Sequence, residues 1–290
     1  MADPLDLVQL RPLMARSQGA REFAVGLIDG PVALDHAALA LASVREMPGG
    51  AKASCSRAQS AACLHGTFVA GMLAAQRGSA APSICPGCTL LLRPIFAESA
   101  GGDLDMPAAA PLELAQAIIA CVNAGARVIN LSAALVRGSA KGERELAAAL
   151  DYAARYRVLV VAAAGNQATV TSSMITRHPW VIPVAGCDFR GGPSGASNMG
   201  RSIGARGLSA PCENITSLAA NGAPQSLTGT SAAAPFVTGA IALLGSEFPG
   251  ARPDELKLAV IQSARGARNS LVPPLLDAWA AYQSLRTLTA

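Results

Sequence analysis

The strongest constraint on this chain is a repeated one: short, almost uninterrupted apolar runs separated by stretches of helical spacing. Residues 22–28 (EFAVGLI), 89–96 (TLLLRPIF), 127–131 (RVINL), 157–163 (RVLVVAA) and 180–184 (WVIPV) read as strands. Residues 65–76, 111–124 and 143–156 read as helices. A Gly-, Ser-, Asn- and Pro-rich stretch, 186–225, reads as loops. Helical pattern then resumes at 231–248, 252–263 and 276–285. Strands that are apolar on both faces must be covered on both faces, which a parallel sheet with crossover helices achieves. The expected fold is α/β, a doubly wound, mostly parallel central sheet with helices on both faces. Residues 1–20 read as an N-terminal extension and 21–290 as a single domain.

Composition supports close packing and excludes several classes. Of 290 residues 61 are alanine, and only 14% are charged and 4% aromatic. That balance excludes disorder, which needs low hydrophobicity and high net charge. The mean hydropathy of +0.35 raises the question of a membrane. The best apolar run, 232–244, has 13 residues and contains Pro235, Thr238 and Gly239, short of the ~18 that a span needs. A net charge of +4 carried by dispersed residues gives no nucleic-acid patch. No membrane or nucleic-acid partner is therefore expected. The N-terminus shows no export signal, so a cytoplasmic location is expected, and with it reduced thiols for the 7 cysteines. Cys85 and Cys88 form a C-x-x-C in a Pro-Gly turn. A local disulfide stays open there, but no second pair completes a zinc set. No metal and no cofactor is expected.

Three polar residues stand at the ends of buried elements. Asp29 follows an apolar strand, His65 opens H-G-T-F-V-A-G, and Ser231 opens G-T-S-A-A-A-P-F. Taken singly, each has a bland structural reading as a turn, a buried side chain or a helix cap. Taken together they supply a chemistry. A serine hydroxyl is a weak nucleophile unless a base lies within hydrogen-bond reach, and that base needs an acid to fix its tautomer. In a parallel sheet the strand C-termini meet the starts of the following helices on one side, where residues distant in sequence converge. A fourth residue, Asn166, ends the strand-like run 158–164 and brings a carboxamide donor to that side. The other two histidines, His36 and His178, lie outside any motif.

The motifs VGLIDGPV around Asp29, HGTFVAG around His65, VINLSAA at 128–134, VVAAAGN ending at Asn166 and GTSAAAPFVTGAIALL from Gly229 together resemble the subtilisin-like (subtilase) serine peptidases. The resemblance covers about residues 20–287. It implies a catalytic set of Asp29, His65 and Ser231, with Asp29 orienting His65, His65 as general base and then acid, and Ser231 as the acyl-forming nucleophile. It implies an oxyanion hole from the Asn166 side chain and the Ser231 backbone N–H. It further implies that Leu131, Ser132, Ala133 and Ala134 pair with an extended peptide substrate, and that Ala162, Ala163, Ala164 and Gly165 line one wall of the pocket before the scissile bond.

Several departures refine that resemblance. Phe68 stands where many relatives have a second histidine, and Ala232 follows the nucleophile where methionine is common. A short segment precedes Asp29, so no folding pro-domain is expected. The stretch 76–89 lacks the insertion that holds calcium in many relatives. The sequences I-D-G-P-V, R-P-I-F and V-N-A-G-A-R-V-I-N look like the cyanobactin-type leader peptidases of ribosomal peptide clusters. The interval of 36 residues between Asp29 and His65 leaves little room for the helical cap of macrocyclising relatives. The expected function is endoproteolysis of a ribosomally made precursor peptide. A general intracellular subtilase, an inert peptide-binding module and a macrocyclising transamidase are the alternatives.

Overall fold

The computed structural model describes residues 3–50, 52–98, 109–132, 140–268 and 271–289. Its helices are α1 (Pro4–Leu7), α2 (Leu10–Arg16), α3 (Ala61–Ala74), α4 (Pro111–Asn123), α5 (Ala140–Arg155), α6 (Met174–Arg177), α7 (Arg201–Arg206), α8 (Thr230–Glu247), α9 (Pro253–Gln262) and α10 (Ala278–Thr289). Its strands are β1 (Ala24–Ile28), β2 (Ser43–Glu46), β3 (Thr89–Leu92), β4 (Val128–Leu131), β5 (Leu159–Ala163), β6 (Val181–Cys187), β7 (Leu208–Pro211), β8 (Ile215–Leu218) and β9 (Pro224–Leu227).

Strands β1 to β7 form one sheet in the order β2-β3-β1-β4-β5-β6-β7, every pair parallel. Strands β8 and β9 form a separate antiparallel hairpin. Alternate residues of the central strands serve opposite layers, as strand geometry requires. Leu159 and Val161 of β5 point into the layer built on α3 and α8. Val160 and Ala162 point into the layer built on α4 and α5. That two-sided burial is why these strands read as continuous apolar runs.

Helix α8 lies beneath β4 to β7, with almost every residue from Thr230 to Gly245 buried. Its small first turn lets it approach the sheet closely. β1 sits between β3 and β4, so the chain winds to opposite sides from that point. Such a switch opens a crevice outside the strand C-termini, and Asp29 stands at its edge. Among the described residues, no helix is long and apolar enough to cross a membrane.

The structure adds elements where loops or an extension were expected. α1 and α2 lie within residues 1–20, and Leu5, Val8, Leu10 and Leu13 are buried in the same core as α8 and α10. β7, β8 and α7 fall within the stretch 186–225, and β9 begins at its end. α3 begins at Ala61, capped by the Ser60 hydroxyl, which accepts from Cys63 N at 3.1 Å. His65 therefore lies inside the helix rather than opening it. The expectation of reduced thiols is corrected for two cysteines: Cys55 and Cys63 form a disulfide, a bond that persists where thiols are not kept reduced. Cys85 and Cys88 are free and buried.

Candidate active site

Asp29 is fully buried and His65 is 6% exposed. The His65 Nδ1 lies 2.7 Å from Asp29 Oδ1, which also accepts the Gly30 N–H at 2.7 Å. Asp29 Oδ2 is buried with no hydrogen-bond partner among the described residues. Two glycines make this approach feasible. A Cβ on Gly30 would collide with the Ala62 carbonyl of α3, and a Cβ on Gly66 would collide with the Gly30 and Pro31 carbonyls. The end of β1 and the first turns of α3 are thus in backbone contact. Thr67 ties them further, its hydroxyl accepting from Ala33 N at 2.9 Å. Burial opposes charging the His65 ring, but the charge and hydrogen bond of Asp29 outweigh it and raise the imidazole above its usual value.

Ser231 is the second residue of α8, half-buried, and its hydroxyl has no hydrogen-bond partner among the described residues. Its backbone N–H belongs to the first turn of the helix, where donors lack intrahelical partners and the dipole favours negative charge. Pro235, one turn on, has no N–H to offer the Ser231 carbonyl. The Ser132 hydroxyl takes that place, donating to Ser231 O at 3.4 Å. Ser132 in turn accepts from Asn130 Nδ2 at 2.9 Å, and Asn130 Oδ1 accepts from Thr238 Oγ1 at 2.9 Å. This buried chain fastens the end of β4 to α8.

Asn166 is exposed just past β5. Its Oδ1 accepts both Thr230 N at 2.8 Å and Thr230 Oγ1 at 3.0 Å. Because a backbone N–H can only donate, the carboxamide orientation is fixed, and its NH₂ is the end left for another acceptor. Gly229 has φ 152, a glycine conformation, and a Cβ there would lie 2.9 Å from Asn166 Nδ2. Glycine before the helix therefore leaves the amide its place.

The structure brings Asp29 and His65 into direct contact. It links Ser231 to Ser132 and links Asn166 to Thr230, the residue before Ser231. Of the substrate-contact residues named above, Leu131 and Ala162 are register partners on β4 and β5, with side chains in the core. They offer backbone only. Ala163 and Gly165 are half-buried and Ala164 is buried. Ala133 and Ala134 lie outside the described residues. Thr230, Asn130 and Thr238 were not singled out from sequence; the one signal for Asn130 is a polar residue inside an apolar strand.

The remaining histidines act locally. His36 caps a short turn by accepting from Ala38 N at 3.0 Å, and His178 Nε2 meets Asp151 Oδ1 at 3.1 Å. One group of ligand-type side chains, Cys55, Cys63 and Glu98, comes together among the described residues. Its two sulfurs are bonded to each other, so they do not offer thiolates to a cation.

Residues 20–278 match the profile described as the subtilase family, and the chain belongs to that family. Among curated proteins it is similar to Mycosin-3 of Mycobacterium tuberculosis, 34% identical in an alignment 261 positions long that covers 71% of this chain and 56% of that protein. It is also similar to a thermostable alkaline protease of Halalkalibacterium halodurans, 30% identical over 201 residues, 69% of this chain and 52% of the relative. The chain spans about half the length of these curated relatives. Among solved structures it resembles the protease domain of PatA, with TM-score 0.83 and 31% identity over 93% of this chain and 97% of the other. It likewise resembles the prenylagaramide maturation protease PagA, with TM-score 0.82 and 28% identity over 95% and 98%. The PatG macrocyclase domain, at 21% identity and TM-score 0.82 over 98% of each chain, shares the fold alone.

Proposed function

We propose that this chain is a serine endopeptidase that acts on an extended segment of a ribosomally made precursor peptide, releasing a leader. The observation that carries the reading is the buried Asp29–His65 contact of 2.7 Å, set into the same core layer as the helix that presents Ser231. In this mechanism Ser231 Oγ attacks the scissile carbonyl carbon while His65 Nε2 takes its proton. Asp29 holds the opposite ring nitrogen and stabilises the imidazolium. The carbonyl oxygen becomes an oxyanion that accepts from Ser231 N–H and from Asn166 Nδ2. Collapse breaks the C–N bond, with the proton passing from His65 to the leaving amine. Water, activated by His65, then releases the acyl group and restores Ser231.

The peptide would pair through its backbone with the end of β4, at Leu131 and Ser132, and lie against Ala163 to Gly165. Backbone pairing suits a substrate read as an extended strand. The precursor assignment rests on the similarity to PatA and PagA, whose names describe maturation proteases.

A fluorophosphonate probe tests the reaction class. Wild type labels, and Ser231→Ala neither labels nor cleaves, with turnover down about 10⁶-fold. Equal labelling of the two proteins would overturn it. The substrate assignment is tested by incubation with candidate precursors: cleavage at one junction supports it, and indiscriminate digestion of casein with no preferred junction refutes it.

A further inference from the structure

Asn198, in the loop between β6 and α7, is 5% exposed. Its side chain spends its hydrogen-bonding capacity almost wholly on the segment that carries Asn166. Asn198 Oδ1 accepts from Gln167 N at 3.0 Å, Thr169 N at 3.2 Å and Thr169 Oγ1 at 3.0 Å. Asn198 Nδ2 donates to Ala164 O at 3.2 Å and to Gln167 Oε1 at 2.7 Å. Its own backbone N–H donates to Gly165 O at 2.8 Å. The residues on both sides of Asn166 are therefore held, while Asn198 makes no hydrogen bond to Asn166 itself.

The turn and the clamp also fit as a pair. Gly165 has φ +101, in the left-handed region, and a Cβ there would sit 2.5 Å from Asn198 Nδ2. A larger residue at Gly165 would meet both a strained backbone and the clamp. From the other side, Thr230 sets the rotation of the Asn166 carboxamide. Asn198 holds the base through Ala164, Gly165, Gln167 and Thr169, while Thr230 holds the pointer and accepts the Gly165 N–H at 3.1 Å.

We infer that Asn198 is a positioning residue for the oxyanion donor, acting through Asn166 and touching no substrate. The inference rests on the serine-peptidase reading above. Its physical basis is that a preorganised donor is effective only when held within about 0.5 Å of its working position. Losing such a donor outright costs about 10²–10³ in kcat. In Asn198→Asp the shape is kept, but an oxygen replaces the amide that faces the Ala164 carbonyl and Gln167 Oε1, so the clamp opens.

The test is a double-mutant cycle in the full chain, read as kcat, KM and pH profile. Asn198→Asp lowers kcat about 10- to 100-fold with KM changed by less than about threefold. The acidic limb of the pH profile stays where it is in the uncharged variant Asn198→Ser, which adds no charge near His65. In an Asn166→Ala background the same substitution changes kcat by less than about twofold, because the donor it positions is gone. Asn198→Ser, which keeps a small donor and acceptor, provides the second variant, with the melting temperature recorded for both. Losses that multiply in the double mutant overturn the inference and leave the peptidase reading standing. Loss of fold in both variants also overturns it, since Asn198 is then a scaffold residue. Absence of fluorophosphonate labelling at Ser231 in wild type brings down both.

Discussion

The two halves of the site are held in different ways. On the Asp29–His65 side, position is set by backbone shape: Gly30 and Gly66 let β1 and α3 touch, and a single short contact between side chains follows. On the Ser231–Asn166 side, position is set by polar side chains: Thr230 on Asn166, and Ser132, Asn130 and Thr238 in a buried chain under α8. A joint made by steric fit has no intermediate setting, so changes to it act abruptly. A network of hydrogen bonds loosens one bond at a time, each worth about 0.5–1.5 kcal/mol. The Asp29–His65 half is therefore the brittle one and the Ser231–Asn166 half the tunable one.

Three substitutions sharpen or break that contrast. The largest effect is expected of Asp29→Asn, which lowers kcat about 10⁴-fold. It also moves the pH profile. His65 must be neutral to act as a base, and Asp29 raises its pKa above 6.5, so wild-type kcat/KM falls away as pH drops toward that value from above. Without the carboxylate only the lowering effect of burial remains, and the acidic limb shifts below pH 6.5. An unmoved limb would show that Asp29 does not set the base.

Next is Gly66→Ala, which drives a methyl into the Gly30 and Pro31 carbonyls. It costs about 1–3 kcal/mol of stability and, by displacing His65 from Asp29, about 10²-fold in activity. Thermal melting and Ser231 labelling are expected to fall together. The smallest effect is that of Thr230→Val, which removes the hydroxyl's bonds to Asn166 Oδ1 and to the Gly165 N–H and keeps the backbone bond to Asn166. It lowers kcat about 3- to 10-fold and leaves melting and pH profile in place. A Thr230→Val enzyme that is dead, beside a Gly66→Ala enzyme that is intact, reverses the contrast.

Much of the fold was legible because its central strands are buried on both faces. Residues of β5 and β6 that serve both core layers leave an uninterrupted apolar trace in the sequence. β2 (SVRE) leaves none, because an edge strand with half its residues exposed needs no such run. β7 (LSAP) is short and lies among glycines and prolines, and it becomes a strand through pairing with β6 and the bridge of Ser209 to Leu275. The helices α1 and α2 are too short to declare themselves, and packing of Leu10 and Leu13 fixes them.

For the site, Asp29, His65, Asn166 and Ser231 stood out because each sits in a compact motif. Their supports did not. Thr238 and Asn130 lie 108 residues apart, and Thr230 and Asn166 lie 64 apart. A hydrogen bond across such distances has no local pattern. The Cys55–Cys63 disulfide was likewise hidden, since nothing within the segment announces that loop and helix meet.

That disulfide has a practical consequence for anyone handling the protein. Its ring, closed over a sequence separation of 8, contains Ser60, the cap of the helix that carries His65. Closing so small a ring removes about 2–3 kcal/mol worth of freedom from the unfolded chain. Samples prepared with and without a thiol reductant then differ at the root of α3. Activities are comparable only when the oxidation state has been titrated first.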